Sequence, residues 1–239
     1  MITTRSFAIL GLTLAAGLAI FGVQVGQAVK KGREFDRYLT VKGLSEREAT
    51  ATLAIWPIRF VVAAEDLPSL KQAVEAGRNA VLAYLADHQI AADEVTFGLP
   101  GVSDRAEERE LRGESNPLRL PRYKAVVTLV VRSGKVDVVK AAIQHADTLL
   151  DQGITLANSD YGDRPEFLFA DVNGIKPEMI AEATANARAA AEKFAQDSHA
   201  RVGAMRRATQ GAMEIYDRDV ATPELKVLRI VTTVDFFLE

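Results

Sequence analysis

The sequence predicts an α+β fold, in which an antiparallel or mixed sheet packs against helices. Three observations support this class. Segments such as 226–238 alternate apolar and polar residues with the two-residue period of a strand. Segments such as 67–88 repeat apolar residues at helical spacing. An alanine-rich helix is predicted at 177–201, and an apolar helix is predicted near the N-terminus.

The composition is that of a folded, mildly acidic protein. Of the 239 residues, 48% are hydrophobic and 26% are charged, and the formal net charge is −3. This length suits one large domain or two small ones. The acidic balance gives no electrostatic reason to expect nucleic acid as a partner. Because the sequence has no cysteine, disulfides, thiolate catalysis and thiolate metal sites are excluded.

Residues 7–25 form an uncharged segment that predicts a membrane helix or an export signal. Its 19 residues approach the roughly 20 that a membrane-spanning helix needs. An uncleaved anchor is the favoured interpretation, and the alternatives are a signal peptide cleaved near 26–28 or a buried soluble helix. The sequence is therefore divided into a signal anchor or signal peptide at 1–29, a linker at 30–37 and an α+β domain at 38–239.

The first strands of this domain are predicted from about 38 to 63, as two arms joined by a kink. Apolar residues at 51–55 occupy one parity and those at 58–62 the other, so the apolar face changes side at Pro57. A parity change needs one extra residue, and proline is tolerated at such a bulge. The charged residues at 46–48 predict a turn or a solvated face before the longer arm.

The middle of the chain predicts a strand–helix–strand unit that occurs twice. In the first copy a helix at 67–88, capped by Asp66 with Pro68 in its first turn, leads to a short strand at 94–98. A loop rich in glycine, proline and mixed charge follows at 99–122. The second copy consists of a strand at 123–132, a turn at 133–134, a helix at 136–152 ended by Gly153, and a strand at 154–161.

The last part of the chain predicts a strand at 167–172, the alanine-rich helix, and two closing strands at 205–216 and 226–238. Pro177 lies in the first turn of the helix and Gly203 follows its end. Because alanine lets another backbone approach closely, this helix is expected to lie flat on a sheet. Its predicted buried stripe is Ile180, Thr184, Ala187, Ala191, Phe194 and Ala195.

The order of these segments resembles the SIMPL-domain family of bacterial envelope proteins, which includes a periplasmic immunogenic protein. The resemblance covers roughly 38–238, and the opening VKG, Tyr123, Gly153 and the alanine-rich helix are its best matches. The family's opening is richer in glycine than this one, in which Gly43 stands alone. The segments that carry the resemblance are VKGLSEREATATLAIWPIRF, DEVTFG, RYKAVVTLVV, LLDQGITLANSDYG, FLFADV and EATANARAAAEKFAQ.

This resemblance implies an α+β fold, an export signal or anchor, a ring-like oligomer in some members, and a link to oxidative-stress resistance in others. It supplies no established catalytic residues. It places the domain in the cell envelope, either anchored in the inner membrane and facing the periplasm or periplasmic after cleavage. The charge pattern disagrees, because Lys30, Lys31 and Arg33 follow the apolar segment and favour a cytosolic C-terminal side.

The sequence contains no recognisable catalytic or nucleotide-binding motif. It lacks the nucleophile elbow G-x-S-x-G and the phosphate loops G-x-x-x-x-G-K-[ST] and G-x-G-x-x-G. His88, His145 and His199 lie in predicted helices without a histidine partner three or four residues away, so structural or surface roles are favoured over a metal site. We therefore predict no catalytic, cofactor-binding or metal-binding residues.

Three further features receive structural interpretations. Asp160, Asp163, Glu166 and Asp171 surround a turn without the spacing of a calcium loop, so a solvated turn is favoured over a weak cation or partner site. Trp56 is favoured as a buried anchor or subunit contact over a platform for a ligand. The loop at 99–122 mixes both charges and is favoured as solvated over a subunit contact; its arginines are Arg105, Arg109, Arg112, Arg119 and Arg122.

The favoured hypothesis is a non-enzymatic envelope protein that self-assembles into a homo-oligomer, is held at the membrane by its N-terminal helix, and binds neither a cofactor nor nucleic acid. The alternative is an envelope domain that holds a small hydrophobic or cationic molecule between sheet and helices. A third hypothesis is an enzyme whose site joins residues distant in sequence, such as His145 and Asp160.

Overall fold

The structure is a computed structural model that describes residues 14–27, 37–106, 120–157 and 164–239. Helix α1 covers 14–27. Helices and antiparallel sheets are both present, which confirms the predicted α+β class. The chain forms two compact units. The first comprises Met1–Arg47, Asn173–Glu214 and Leu228–Glu239, and the second comprises Glu48–Val172 and Ile215–Val227.

The second unit contains a six-stranded sheet whose strand pairs are all antiparallel. The main order of strands is β3-β5-β2-β6, with β4 paired to β5 and β7 paired to β2. The strands are β2 (Leu53–Ala64), β3 (Val95–Phe97), β4 (Gly101–Asp104), β5 (Tyr123–Ser133), β6 (Thr155–Leu156) and β7 (Glu166–Leu168); the helices are α2 (Leu67–Asp87), α3 (Val136–Gln144) and α4 (Thr148–Asp151).

The predicted duplication of a strand–helix–strand unit is present in this sheet. One copy is β2–α2–β3, and the other is β5 followed by α3, α4 and β6. The first strands of the two copies pair with each other at the centre, and each second strand pairs with the first strand of the other copy. This is the split β-α-β-β-α-β arrangement, which buries one face of a sheet under two helices.

Strand β2 is straight at Pro57, where the sequence predicted a kink. Its pairing with β5 runs without a register shift from Ala54 opposite Ser133 to Ala64 opposite Tyr123. The buried residues keep one parity along the strand, so the predicted bulge and change of face are wrong. Among the described residues, neither β6 nor β7 pairs with Pro57, so the missing N–H of the proline costs no hydrogen bond to these strands.

The core of the second unit is formed by residues that alternate along β2 and β5 and by one face of α2 and α3. Phe60, fully buried in β2, packs so closely on α2 that a Cβ on Gly77 would lie 2.5 Å from its ring. The largest fully buried side chains of this core are Phe60, Leu85, Ile90, Leu129, Leu149, Val81, Val127 and Val131.

The predicted helix start and stop residues are confirmed only in part. Asp66 accepts a hydrogen bond from Ser69 N and caps α2, as predicted. Gly153 has φ +78° and ends the second helical segment, also as predicted. The predicted helix at 136–152 is interrupted at 145–147, so the prediction of one helix was wrong. Gln89, at φ +61°, occupies the same left-handed position after α2 that glycine usually takes.

The first unit contains most of a four-stranded sheet in the order β1-β10-β8, with β9 also paired to β10. Leu238 N donates to Arg37 O at one end, and Thr40 Oγ1 donates to Asp235, so β1 runs antiparallel to β10. Strand β8 is antiparallel to β10 as well. The elements are β1 (Tyr38–Thr50), α5 (Val172–Asp197), β8 (Val202–Gln210), β9 (Glu214–Asp217) and β10 (Leu225–Leu238).

Helix α5 lies on this sheet, which confirms the expectation for the alanine-rich helix. Ala187 and Ala191 pack against Val41, Val234 and Phe236. The predicted stripe was only partly right, because Ile180 and Thr184 are half-buried and Phe194 is 60% exposed. The residues that face the sheet are Met179, Ala183, Ala187, Ala191 and Ala195.

Several predicted boundaries are corrected by the structure. The predicted strand at 205–216 is divided by 211–213, and Gly203 lies inside β8 instead of ending the helix. Of the two alternatives predicted for 46–48, the turn is wrong because these residues lie within β1, whereas Glu46 and Glu48 do face solvent. The predicted strand at 167–172 is observed as the shorter β7, and α5 begins five residues before Pro177, at Val172. Of the predicted strand at 154–161, only 154–157 are described, and β6 lies within them. Residues 107–119 and 158–163 lie outside the described part of the chain.

The predicted apolar segment at 7–25 begins outside the described residues and continues into α1. Within the described ranges, no helix combines the length and the apolar character needed to cross a membrane.

Candidate functional site

The second unit contains an open cleft of about 550 Å³ on the side of α3. Helix α3 contributes Lys140, Ile143 and Gln144 to its wall. The opposite wall comes from the turn between β9 and β10. Small-molecule sites have volumes of this order and combine apolar walls with a few polar groups. The remaining lining residues are Arg164, Pro165, Phe167, Asp217, Val220, Ala221, Pro223 and Glu224.

A buried ion pair lies in the cleft wall. Glu224 is only 6% exposed, and its Oε1 accepts a hydrogen bond from Lys140 Nζ. The other carboxylate oxygen, Oε2, is buried and has no hydrogen-bond partner among the described residues. Burial raises the pKa of Glu224, but the hydrogen bond from Lys140 and a backbone hydrogen bond outweigh it and leave the pKa below its ordinary value. Glu224 is therefore held as a carboxylate with half of its acceptor capacity unused.

The turn that carries Glu224 is organised by Asp219. Its carboxylate accepts hydrogen bonds from the hydroxyl and backbone nitrogen of Thr222, from Ala221 N and from the Arg218 guanidinium. These bonds, led by the Thr222 hydroxyl, lower the pKa of Asp219 to about 2. Asp219 thus stays ionised over the physiological range, and the turn keeps Val220 and Pro223 at the mouth of the cleft.

A second ion pair neutralises the other acid of the cleft. The side chain of Lys226 is 8% exposed and donates to the half-exposed Asp217. Arg164, by contrast, is exposed at the rim and forms no ion pair or side-chain hydrogen bond within the described residues. Among the described residues of the cleft, two acids and two lysines therefore cancel, and the Arg164 guanidinium is the charge without a partner.

The first unit offers a different feature, the open edge of β8. Within the described part of the chain, β8 pairs with β10 alone. Its residues from Ala204 to Gln210 are exposed on both faces, unlike those of β10. An unpaired edge presents backbone donors and acceptors that can bind another strand.

The structure brings together two of the three histidines. The rings of His88 and His145, which follow α2 and α3, have centroids 6.3 Å apart. This proximity could not be predicted from the sequence, because 57 positions separate the two residues. His199 follows α5 instead, at φ +55°. No three His, Asp or Glu side chains gather as a metal site within the ranges that the structure describes.

The other residues singled out by the sequence are placed as follows. Trp56 is 6% exposed in the core of the second unit, which confirms the buried-anchor interpretation. Glu166 and Asp171 are exposed. Arg122 pairs with Asp104 at 2.8 Å, and Arg105 N donates to Arg122 O. Five of the residues singled out lie outside the described ranges, and with them the pairing of His145 with Asp160; they are Asp160, Asp163, Arg109, Arg112 and Arg119.

Sequence reasoning missed the cleft and its ion pairs, although one signal was available. Glu224 and Lys226 share the parity of the apolar residues that make β10 a regular strand. A charged residue on an apolar parity is expected to be buried and paired. That pattern could have singled out Glu224 and Lys226, but not Lys140, which lies 84 positions from Glu224.

Comparison with known proteins supplies the family. A family model, SIMPL, described as a protein of unknown function (DUF541), matches residues 39–227. No curated protein matches the chain. The matched range begins in β1, includes both strand–helix–strand copies and α5, and ends in β10. The chain belongs to the SIMPL family.

Proposed function

We propose that this chain is a non-catalytic protein of the cell envelope that acts by self-assembly. It is held at the inner membrane by its N-terminal segment, facing the periplasm, or is periplasmic if that segment is cleaved. The assembled form serves as a structural or interaction module, and the family resemblance extends this role to tolerance of oxidative stress. The open edge of β8 is the observation that supports assembly.

The edge of β8 has the geometry for pairing with a second copy of itself. Gly211 N donates to Val231 O, and the pairing with β10 stays in register back to Arg207. Since backbone groups alternate sides along an antiparallel strand, Ala208 and Gln210 direct their N–H groups to the open edge. These donors are available to a second strand without any loss of the β8–β10 ladder.

A two-fold axis at Ala208 gives a favourable register for two β8 strands. In this register Arg207 lies opposite Thr209 of the second copy, and Arg206 lies opposite Gln210. No arginine then faces another arginine directly, so the cross-strand repulsion of like charges is avoided. The register shifts near Phe236 and the interruption at 211–213 limit the pairing to this short stretch. A two-fold contact of this kind joins the same surface of two copies. Once their two β8 edges are paired, neither edge can bind a third copy.

Substitution of Ala208 by proline is expected to abolish assembly. Proline removes the outward N–H at the centre of the proposed contact but leaves the bonds to β10, which come from the neighbouring residues. Sedimentation velocity of the full chain should show an oligomer for the wild type and for Ala208→Ser, which keeps the N–H. Ala208→Pro should sediment as a monomer with an unchanged circular dichroism spectrum. A wild-type chain that stays monomeric at every concentration contradicts the proposal.

The location is tested by fusing a reporter to the C-terminus. Alkaline phosphatase needs disulfides that form only in an oxidising compartment, so a periplasmic C-terminus is expected to give an active phosphatase fusion. A green fluorescent protein fusion at the same residue should remain dark. Bright fluorescence with an inactive phosphatase would place the domain in the cytosol, as the lysines and arginine after the apolar segment favour.

A further inference from the structure

We propose that the cleft beside α3 binds a small organic acid with an apolar body and a hydrogen-bond donor. This function is additional to self-assembly and uses a different part of the chain. The carboxylate of the ligand would pair with Arg164 at the rim, its body would lie against the apolar wall, and its donor would bind Glu224. Three separate observations support these three parts.

The charge balance of the cleft favours an anion. Glu224 is neutralised by Lys140, and Asp217 is neutralised by Lys226. The exposed guanidinium of Arg164 has no such partner within the described residues. Guanidinium binds carboxylates through two parallel hydrogen bonds, which makes arginine a specific receptor for this group. A cationic ligand, one of the two kinds considered from the sequence, would be repelled by this positive charge.

The buried carboxylate of Glu224 favours a ligand that also carries a donor. Its Oε2 has no partner within the described residues although the side chain is more than nine-tenths buried. A buried acceptor that lacks a hydrogen bond destabilises the protein, and most such groups are satisfied by protein, water or ligand. An amide N–H or a hydroxyl is the suitable donor, since Lys140 already supplies the balancing charge.

The wall between these two polar groups is apolar. Phe167 of β7 and Ile143 of α3 form its inner part, and Pro165, Val220 and Pro223 form its outer part. Phe167 is itself fixed in the core of the unit by its pairing with Ala54. Val220 is 99% exposed and gives the ligand an apolar surface to cover. Burial of an apolar body here would supply most of the binding free energy.

N-acetyl-L-phenylalanine is the probe for this site, because it combines a carboxylate, an aromatic body and an amide N–H. Isothermal titration calorimetry with the full chain is expected to show saturable binding. Arg164→Gln should weaken the affinity at least tenfold. Arg132→Gln, which removes an exposed arginine of the same unit away from the cleft, should bind like the wild type. The uncharged probe N-acetyl-L-phenylalaninamide should bind at least tenfold more weakly than the acid.

A second variant separates a specific site from a weak surface contact. Val220→Asp places a negative charge at the mouth without disturbing the core, and it should also weaken binding of the acid. The proposal is overturned if the probe does not saturate, if Arg164→Gln binds as tightly as Arg132→Gln, or if the acid and the amide bind equally. Sedimentation velocity of Arg164→Gln should still show the wild-type assembly, so failure at the cleft and failure of self-assembly are distinguishable.

Discussion

Replacement of Gly43 by alanine is expected to destabilise the first unit by roughly 3 kcal/mol or more. Gly43 lies in β1 directly against α5. A Cβ at this position would overlap the carbonyl oxygen of Ala183 and come within 2.5 Å of the backbone nitrogen of Ala187. Both atoms belong to the helix backbone, so no side-chain rotation can make room. The methyl group must therefore displace the whole helix from the sheet.

Urea unfolding followed by circular dichroism measures this effect, and Gly101→Ala is the matched control. Gly101 also lies in a strand, but a Cβ there would meet no atom within 4 Å. Its substitution should change the unfolding midpoint little, whereas Gly43→Ala should lower the midpoint strongly or prevent folding. Similar midpoints for the two variants would show that α5 does not lie as close to β1 as the structure places it.

The close approach at Gly43 is reinforced by polar contacts along the same strand. Asn186 Nδ2 donates to Leu44 O at 2.8 Å, and Ser45 Oγ donates to Glu182 at 3.0 Å. Arg47 binds both Glu182 and Glu178. Arg47, from the charged run that the sequence predicted as a turn or a solvated face, thus takes part in the contact between strand and helix. The close packing of β1 on α5 therefore depends both on Gly43 and on the alanines of the helix.

The sequence predicted that α5 would pack on a sheet, but it could not fix which face of the helix does so. Alanine occurs on several faces of this helix, so the apolar pattern is nearly the same for neighbouring stripes. Phe194 biased the prediction toward the wrong face, since a large aromatic residue is more often buried than exposed. The close approach of Gly43 to Ala183 and Ala187 decides the orientation, and that contact joins residues 140 or more positions apart.

The error at Pro57 has a different physical origin. The prediction assumed that one face of the strand is buried and the other is wet. In the structure Leu53 and Ile55, on the less buried face of β2, are still half-buried. A central strand that is partly covered on both faces carries apolar residues on both parities. The alternation then no longer shows which face is buried. Local signals such as the Asp66 cap and Gly153 were predictable because neighbouring residues alone determine them.

Lys140→Met is the second substitution with a large expected effect, a loss of roughly 3 kcal/mol of stability at neutral pH. The substitution leaves the Glu224 carboxylate buried without its cation. This value is at the low end of the range for breaking a buried ion pair, because the Lys140 side chain is 36% exposed. Chemical denaturation of the wild type and of Lys140→Met at about pH 7 measures the difference.

The pH dependence of this difference identifies its electrostatic cause. In the wild type the pKa of Glu224 is lowered on balance, although burial raises it, because Lys140 donates to the carboxylate. A depressed folded pKa stabilises the protein above the unfolded pKa, and this contribution is lost as the pH falls through the folded pKa. In Lys140→Met the Glu224 carboxylate is still buried but no longer has the lysine as its donor, so its pKa rises. Protonation of Glu224 in the variant then removes the unpaired buried charge. The difference in stability between the wild type and Lys140→Met should therefore shrink between about pH 7 and about pH 4.

A double variant separates the lost ion pair from lost packing. Lys140→Met with Glu224→Leu removes both charges and keeps apolar volume, so its stability should return close to that of the wild type. The backbone bond from Ala51 N to Glu224 O does not depend on the side chain and remains in every variant. If the double variant is as unstable as Lys140→Met, or if the single variant shows the same deficit at acid pH, the deficit arises from packing. The carboxylate would then not be the buried, lysine-dependent acid that the cleft requires.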